Sequence, residues 1–276
     1  MWEMIQAVVL GVVEGLTEFL PISSTGHLII ASDWIGFTNH PSSKTFVVVI
    51  QAGAILAVCW YYRALIGRIL LNWYRPGPER QLTINTLVAF LPAAVIGVLC
   101  AGFIKSHLFN MATVVTMLIL GGFVLLWIEK RAATGKCSAV VATMEDLTPG
   151  RAFLVGVAQC FAMIPGTSRS GATIIGGLLL GLSRKAATEF SFFLAIPTIF
   201  GATVYDLWHD RAEILSGQLN WGLLAIGTVV SFFAALVVVK WLIGFVSRND
   251  YRPFGWYRII FGVLLLFASW LGWVQF

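Results

Sequence analysis

Six long stretches of the sequence contain no Asp, Glu, Lys or Arg, and they restrict the fold more than any other feature. They cover residues 45–62, 81–104, 106–128, 190–205, 214–239 and 259–276. Their lengths lie around the ~20 residues that a helix needs to cross the hydrocarbon core of a bilayer. Only 11% of all residues are charged, against about a quarter in a soluble domain. The sequence therefore predicts an all-α polytopic membrane protein with six spans.

Two further apolar regions, residues 4–36 and 152–183, are each interrupted by a short polar segment. The first contains Pro21-Ile-Ser-Ser-Thr-Gly-His27 and the second contains Pro165-Gly-Thr-Ser-Arg-Ser-Gly171. The arms that follow, 28–36 and 172–183, would extend only about 14–18 Å as helices, which is too short for a ~30 Å core. Two short helices joined by a polar break predict a re-entrant hairpin with its tip inside the protein.

The two interrupted regions resemble each other, which predicts an internal repeat within a single membrane domain of residues 1–276. Four matches at offsets of 144 or 145 residues link Gly11–Glu14 with Gly156–Gln159, Pro21 with Pro165, Ser23-Ser24 with Thr167-Ser168, and Phe46 with Phe190. Each half, about 1–131 and about 150–276, then has one hairpin and three spans. Because three is odd, the second half must be inverted, and inverted repeats bring broken helices together near the midplane. Chance similarity between Gly-rich apolar segments is the alternative.

The basic residues predict the orientation of the chain. If loop 63–80 is cytoplasmic, alternation of the spans places fourteen of the eighteen Lys and Arg residues on that side. They are Arg63, Arg68, Arg75, Arg80, Lys130, Arg131, Lys136, Arg151, Arg184, Lys185, Lys240, Arg248, Arg252 and Arg258. Both termini and loop 206–216 are then extracytoplasmic. The positive charges are scattered between apolar runs, so no nucleic-acid partner is predicted.

Glu14 and Glu18 lie four residues apart in the first arm of the first hairpin and would share one face of a helix. Carboxylates in an apolar segment are costly unless they are paired. We interpret them as a cation site or an acid–base pair that faces a cavity; two carboxylates at a helix end that face water are the alternative. Gln159 takes the place of Glu14 in the second half, so only the first half carries both acids.

The segment Ser23-Ser24-Thr25-Gly26-His27 is unusual inside an apolar hairpin, because it combines three hydroxyls with an imidazole. The hydroxyls could simply cap the helix 28–36, and His27 could be a satisfied core residue. The neighbouring Glu14 and Glu18 favour a functional interpretation of the whole group.

Arg169 is the only basic residue within 152–183, and a lone guanidinium in an apolar hairpin needs an anionic partner. Ser168, Ser170 and Thr173 flank it where a helix begins, and the free N–H groups of a helix N-terminus favour an anion. An arginine fork, hydroxyls and a helix N-terminus predict an oxyanion site, best suited to phosphate. Arg169 could also neutralise Glu14 or Glu18, and the two interpretations are compatible.

Together these motifs resemble the undecaprenyl-pyrophosphate phosphatases of bacteria, the bacitracin-resistance family. The resemblance rests on Glu14-xxx-Glu18 with Ser-Ser-Thr-Gly-His27 and on Pro-Gly-x-Ser-Arg-Ser-x-x-Thr173, and it covers nearly the whole chain. It implies that undecaprenyl pyrophosphate loses its terminal phosphate at the periplasmic face of the inner membrane, which recycles the peptidoglycan carrier. It also implies a divalent cation, Mg²⁺ or Ca²⁺, and a homodimer.

With this resemblance, the residues predicted to be catalytic are Ser24, His27, Arg169 and Glu18. The residues predicted to bind the substrate phosphate are Arg169, Ser168, Ser170, Thr173, Thr25 and Ser23, and those predicted to bind the metal are Glu14 and Glu18. Ser24 is the candidate nucleophile with His27 as its base, while attack by His27 or by a water that it activates remains open. A transporter or flippase for an anionic or lipid-phosphate substrate is the competing hypothesis, because inverted repeats with broken helices are typical of transporters. The nucleophile–base set favours hydrolysis.

Overall fold

The computed structural model describes residues 1–38, 40, 43–134, 139–209, 211 and 220–271. In these ranges the chain forms α-helices joined by short connections. They are α1 Trp2–Thr17, α2 Ser24–Trp34, α3 Ser43–Tyr61, α4 Arg63–Asn72, α5 Pro78–His107, α6 Met111–Ala133, α7 Pro149–Cys160, α8 Arg169–Leu179, α9 Arg184–His209, α10 Trp221–Val246 and α11 Arg252–Trp270.

Six of the helices within the described ranges are long and apolar enough to cross a membrane: α3, α5, α6, α9, α10 and α11. Large apolar side chains remain on their outer faces, and Leu99, for example, is 77% exposed. A soluble protein would not leave so many of them in contact with water. The prediction of an all-α multi-pass membrane protein with six spans is confirmed.

The structure corrects the ends of several predicted spans. Loop 63–80 contains the helix α4, and α6 begins only at Met111, because the Asn110 side chain caps it by accepting the Thr113 N–H at 2.8 Å. Arg258, predicted to be a charge on the cytoplasmic side, lies inside α11, which begins at Arg252, and its side chain is fully buried. Arg258 is therefore not a loop charge, and the side of the membrane assigned to it stays a prediction. Lys136, 214–219 and 272–276 lie outside the described residues.

Both interrupted regions form a helix, a break and a second helix. α2 and α8 have 11 residues each, or about 17 Å of helix, well short of a membrane core. The serine before each of them has a positive φ, 72° at Ser23 and 73° at Ser168. Each side chain caps its helix by accepting a glycine N–H, from Gly26 at 3.5 Å and from Gly171 at 3.1 Å.

These matching caps correct the register in which the two interrupted regions were aligned. Ser23 is equivalent to Ser168, so the predicted match of Ser23-Ser24 with Thr167-Ser168 is wrong by one residue. Ser24, the first residue of α2, therefore corresponds to Arg169, the first residue of α8. The proline matches misled the alignment, because Pro21 lies two residues before its cap, Ser23, whereas Pro165 lies three residues before Ser168.

Close packing of α1 on α10 and of α7 on α5 holds the two breaks inside the bundle. A Cβ added to Gly11 would lie 2.7 Å from Gly227 O, and one added to Gly156 would lie 2.1 Å from Ala89 O. Neither position has room for a larger residue. The breaks themselves touch, because Ser170 Oγ donates to Leu20 O at 2.8 Å.

Candidate active site

The carboxylate of Glu18 lies where the two breaks meet and binds a residue from each. One oxygen, Oε2, accepts a hydrogen bond from Ser24 Oγ at 2.5 Å. The other, Oε1, lies 3.1 Å from Arg169 Nη2 and 3.4 Å from its Nε. Since Ser24 and Arg169 are the first residues of α2 and α8, the positive ends of both helix dipoles lie beside this carboxylate.

Arg169 is held in one orientation by contacts beyond Glu18. Its Nη1 donates to Ser191 O at 2.9 Å, and its guanidinium carbon lies 5.8 Å from the centre of the Phe19 ring. The predicted alternative, that Arg169 pairs with a glutamate, is confirmed for Glu18. Ser191 was missed, because a serine within an apolar span gives no sequence signal.

Glu14 lies one helical turn before Glu18 and is fully buried. Within the described residues, neither of its carboxylate oxygens has a hydrogen-bond partner. Glu14 and Glu18 together face one guanidinium, that of Arg169, so the cluster has an uncompensated negative charge if both acids are ionised. A buried carboxylate without a partner is costly, and a bound cation would remove that cost.

The oxygens of Glu14 suit a hard divalent cation such as Mg²⁺ or Ca²⁺. No group of three or more His, Cys, Asp or Glu residues that could hold a metal occurs in the described part of the chain. In a usual Mg²⁺ site, one or two carboxylates are completed by substrate phosphates and water. The two glutamates therefore fit a cation that binds together with the substrate.

Most of the predicted phosphate-binding hydroxyls form bonds within the two breaks. Ser23 and Ser168 cap their helices, and Ser170 joins the second break to the first. Thr173 Oγ1 donates to Arg169 O at 2.9 Å and lies 2.7 Å from Ser191 Oγ. These side chains hold the shape of the site. Thr25 lies partly exposed in the first turn of α2.

His27 is held by a carbonyl, a phenol and a stacked ring. Its Nδ1 lies 2.7 Å from Ser23 O and its Nε2 lies 2.7 Å from the Tyr257 hydroxyl. A carbonyl can only accept, so Nδ1 carries the hydrogen, and in the neutral imidazole Nε2 then accepts from Tyr257. The Phe261 ring stacks on the imidazole at 4.5 Å between centroids. Tyr257 was also missed by sequence reasoning.

The structure does not join the predicted pair Ser24 and His27 by a hydrogen bond. Ser24 Oγ binds Glu18 instead, and both ring nitrogens of His27 have other partners. The base in contact with Ser24 is thus Glu18. The catalytic roles of all three residues stay predictions.

Two broken helices that bring a carboxylate, a hydroxyl and an arginine together inside a helical bundle define a polytopic membrane protein with a buried cluster of polar and charged side chains. The bacitracin resistance protein BacA family matches residues 7–264. The chain belongs to this family, as the sequence motifs predicted.

Relatives of similar length match the chain from end to end. Undecaprenyl-diphosphatase 2 of Rhodospirillum rubrum is 52% identical over 272 residues, which are 99% of this chain and 97% of the relative. The undecaprenyl-diphosphatase of Dechloromonas aromatica is 50% identical over 273 residues, with the same shares. That of Cupriavidus metallidurans is 49% identical over 284 residues, 97% of this chain and 96% of the relative.

Proposed function

We propose that this chain hydrolyses undecaprenyl pyrophosphate to undecaprenyl phosphate and inorganic phosphate. The observation that carries the proposal is the contact of Glu18 with both the Ser24 hydroxyl and the Arg169 guanidinium. The candidate base, Glu18, thus lies within hydrogen-bonding distance of both the candidate nucleophile and the candidate oxyanion-binding group. The relatives that match over nearly the whole chain are undecaprenyl-diphosphatases. The reaction recycles the lipid carrier of the cell wall and confers bacitracin resistance.

In the first step, Ser24 Oγ attacks the terminal phosphorus and Glu18 takes the hydroxyl proton. The bond from that phosphorus to the bridging oxygen breaks, and undecaprenyl phosphate leaves with the electron pair and the proton from Glu18. Arg169 and the N–H groups at the start of α8 stabilise the charge of the transferring group. Arg169 is suited to this role because its planar fork can bind two phosphate oxygens at once.

In the second step, a water attacks the phosphoserine while Glu18 accepts its proton. The Oγ–P bond breaks, Oγ recovers that proton from Glu18, and inorganic phosphate leaves. Two other mechanisms use the same site: attack by His27, or direct attack by an activated water. Ser24 is preferred because its hydroxyl donates to Glu18, whereas both ring nitrogens of His27 are bound to Ser23 and Tyr257.

Glu14 and Glu18 would hold the divalent cation, Mg²⁺ or Ca²⁺. A cation there would draw electron density from the pyrophosphate oxygens and make phosphorus a better electrophile. The lack of a hydrogen-bond partner for the Glu14 oxygens within the described residues supports this role.

We further propose that the chain is a single membrane domain with inverted halves, about 1–131 and about 150–276. In this arrangement α1–α2 and α7–α8 are re-entrant hairpins in the bacterial inner membrane, as predicted for about 4–36 and 152–183. The matching caps at Ser23 and Ser168 support it. So does the packing, in which α1 pairs with α10 from the other half and α7 pairs with α5.

The site then faces the periplasm, both termini are extracytoplasmic, and the functional unit is a homodimer. Cysteine labelling tests the orientation, in a background without the native cysteines. A cysteine at the exposed Trp208 should react with an impermeant thiol reagent added outside, whereas one at Gly77 should react only after the membrane is opened. The reverse pattern would overturn the orientation.

The competing function is transport of a lipid phosphate or another anion, which the broken helices also suit. The Ser24–Glu18 contact favours hydrolysis, since a transporter needs binding groups but no nucleophile with a base.

Phosphate release from a short-chain prenyl pyrophosphate in detergent, with and without EDTA, tests the function. Wild type and Glu3→Gln, which alters an exposed carboxylate of the same helix, should release phosphate, and Glu18→Gln should not. Binding without release in wild type would favour the transporter.

A further inference from the structure

Arg258 is a fully buried arginine that the proposed mechanism does not use. It lies in the second turn of α11, and its guanidinium has no carboxylate partner within the described residues. An unpaired buried charge is expensive unless hydrogen bonds replace its hydration. The partners of its five N–H groups therefore show what the side chain does.

All five donors of this guanidinium are occupied by main-chain carbonyls. Nη1 donates to Pro21 O at 3.2 Å and to Thr167 O at 2.8 Å. Nη2 donates to Gly166 O at 3.0 Å and to Met117 O at 2.8 Å. The fifth bond runs from Nε to Leu118 O at 3.2 Å.

These carbonyls belong to three separate parts of the molecule. Pro21 lies in the first break, Gly166 and Thr167 lie in the second break, and the remaining two acceptors lie in α6. Pro21 is three residues before Ser24, and Thr167 is two residues before Arg169. One rigid planar group thus joins the segments that aim the candidate nucleophile and the candidate oxyanion-binding arginine.

Gly121 has no side chain, and the Arg258 guanidinium occupies the space that a side chain there would fill. A Cβ at this position of α6 would lie 2.1 Å from Arg258 Nη2 and 2.6 Å from its Cζ. Any side chain there would push the guanidinium off its carbonyls, because the guanidinium is the flexible end of its side chain.

We propose that Arg258 is a positioning residue that fixes the two breaks relative to each other and so holds Ser24 and Arg169 on Glu18. This inference rests on the proposed function. Since its five donors are already engaged, Arg258 has none left for a phosphate, and its effect on the reaction passes through the main chain of the breaks.

Two variants disturb the bonds between Arg258 and the main-chain carbonyls, one by changing Arg258 and the other by changing the neighbouring Gly121. Arg258→Lys keeps the charge but has at most three N–H donors, and Gly121→Ala keeps Arg258 while displacing its guanidinium. Gly244→Ala is the matched control, because a Cβ on that α10 glycine meets nothing within 4 Å. Misplacement by about 1 Å can cost ~10²-fold in rate, so we expect kcat to fall at least ~10-fold in both variants. KM should change about twofold or less, because no substrate contact is lost.

The double variant tests whether both changes act on the same group. If they do, Gly121→Ala combined with Arg258→Lys should be about as slow as the slower single variant. Losses that multiply would overturn the proposal. If Arg258→Lys does not insert, Gly121→Ala with its Gly244→Ala control carries the kinetic comparison.

Hydrogen exchange provides a readout that does not depend on activity. The amides of Gly26 and Gly171, which the two serine caps protect, should exchange faster in Gly121→Ala and Arg258→Lys. Their exchange rates should be unchanged in Gly244→Ala. They should also be unchanged in Arg169→Lys, which lowers activity but leaves the bonds of Arg258 to the two breaks in place. Unchanged exchange in the first two variants, or exchange that rises equally throughout α6 and α11, would overturn the positioning role. If wild type released no phosphate, the proposed function would fail while this measurement still tested Arg258.

Discussion

The two halves of the molecule share a backbone plan at their breaks but carry different side chains at equivalent positions. Each break ends in a serine with positive φ whose side chain caps an 11-residue helix. The next residue is Ser24 in the first half and Arg169 in the second, and both bind Glu18. The two breaks thus share a backbone geometry, and the different residues that follow their caps meet at one carboxylate.

Glu14 and Gln159, which lie at equivalent positions in the two regions, also differ in their hydrogen bonding. Gln159 Nε2 lies 3.2 Å from Thr198 Oγ1, so the buried amide is satisfied within the second half. Ala54 occupies the position of Thr198 in the first half, at the 144-residue offset of Phe46 and Phe190. Glu14 therefore lacks the internal partner that its counterpart has. This difference is the basis of the proposed cation site at Glu14.

Removing the Ser24 hydroxyl should have the largest effect on the site around Glu18. Ser24→Ala should lower kcat by at least ~10³-fold, a scale typical of nucleophile removal, and wild type should yield an acid-stable phosphoserine at this position. Ser32→Ala, at another buried serine of α2, is the control. Turnover in Ser24→Ala with an acid-labile phosphohistidine would assign the attack to His27. If neither adduct forms and water oxygen enters phosphate in a single turnover, the nucleophile is water.

Arg169→Lys is the next most severe change. It keeps the charge but replaces a planar fork by a point contact, so we expect kcat to fall at least ~10²-fold, the scale for loss of one transition-state donor. Arg169→Ala should be slower still, because Glu18 then lacks a balancing cation. Both variants should elute like wild type and like the exposed control Arg63→Lys. Normal turnover of Arg169→Lys would reduce Arg169 to a salt-bridge residue.

Glu14→Gln makes the first half resemble the second and should have an intermediate effect. Loss of a charged ligand should raise the Mg²⁺ concentration needed for half-maximal phosphate release by about tenfold, because hard cations prefer charged oxygens. Adding Ala54→Thr should recreate the Gln159–Thr198 pair and raise the thermal stability of Glu14→Gln without restoring its rate. An unchanged Mg²⁺ titration in Glu14→Gln would contradict the cation role of Glu14.

The sequence predicts the helical class, the six spans and both breaks, because each depends on local pattern. It offers a pairing of Arg169 with Glu14 or Glu18 because each lies in an apolar segment and needs a partner of opposite charge. Charge-free runs define spans, and Pro with hydroxyl residues defines breaks. The sequence does not predict that Ser24 contacts Glu18 rather than His27, since that depends on side-chain directions set by tertiary packing. It does not predict that Arg258 is buried, because a count of charges cannot distinguish a loop arginine from one buried against main-chain carbonyls.

The smallest expected effect concerns Tyr257, which has no role in the predicted set. Tyr257→Phe removes the donor to His27 Nε2 but leaves the bond from Nδ1 to Ser23 O and the stack on Phe261. The imidazole should keep its orientation, because these two contacts remain. We therefore expect kcat to fall about threefold, the effect of roughly 0.7 kcal/mol for one net hydrogen bond. The control variant Tyr74→Phe, at an exposed tyrosine, should leave kcat unchanged. A loss beyond tenfold would mean that the Tyr257 hydroxyl itself transfers a proton, and the site around Glu18 would then extend to α11.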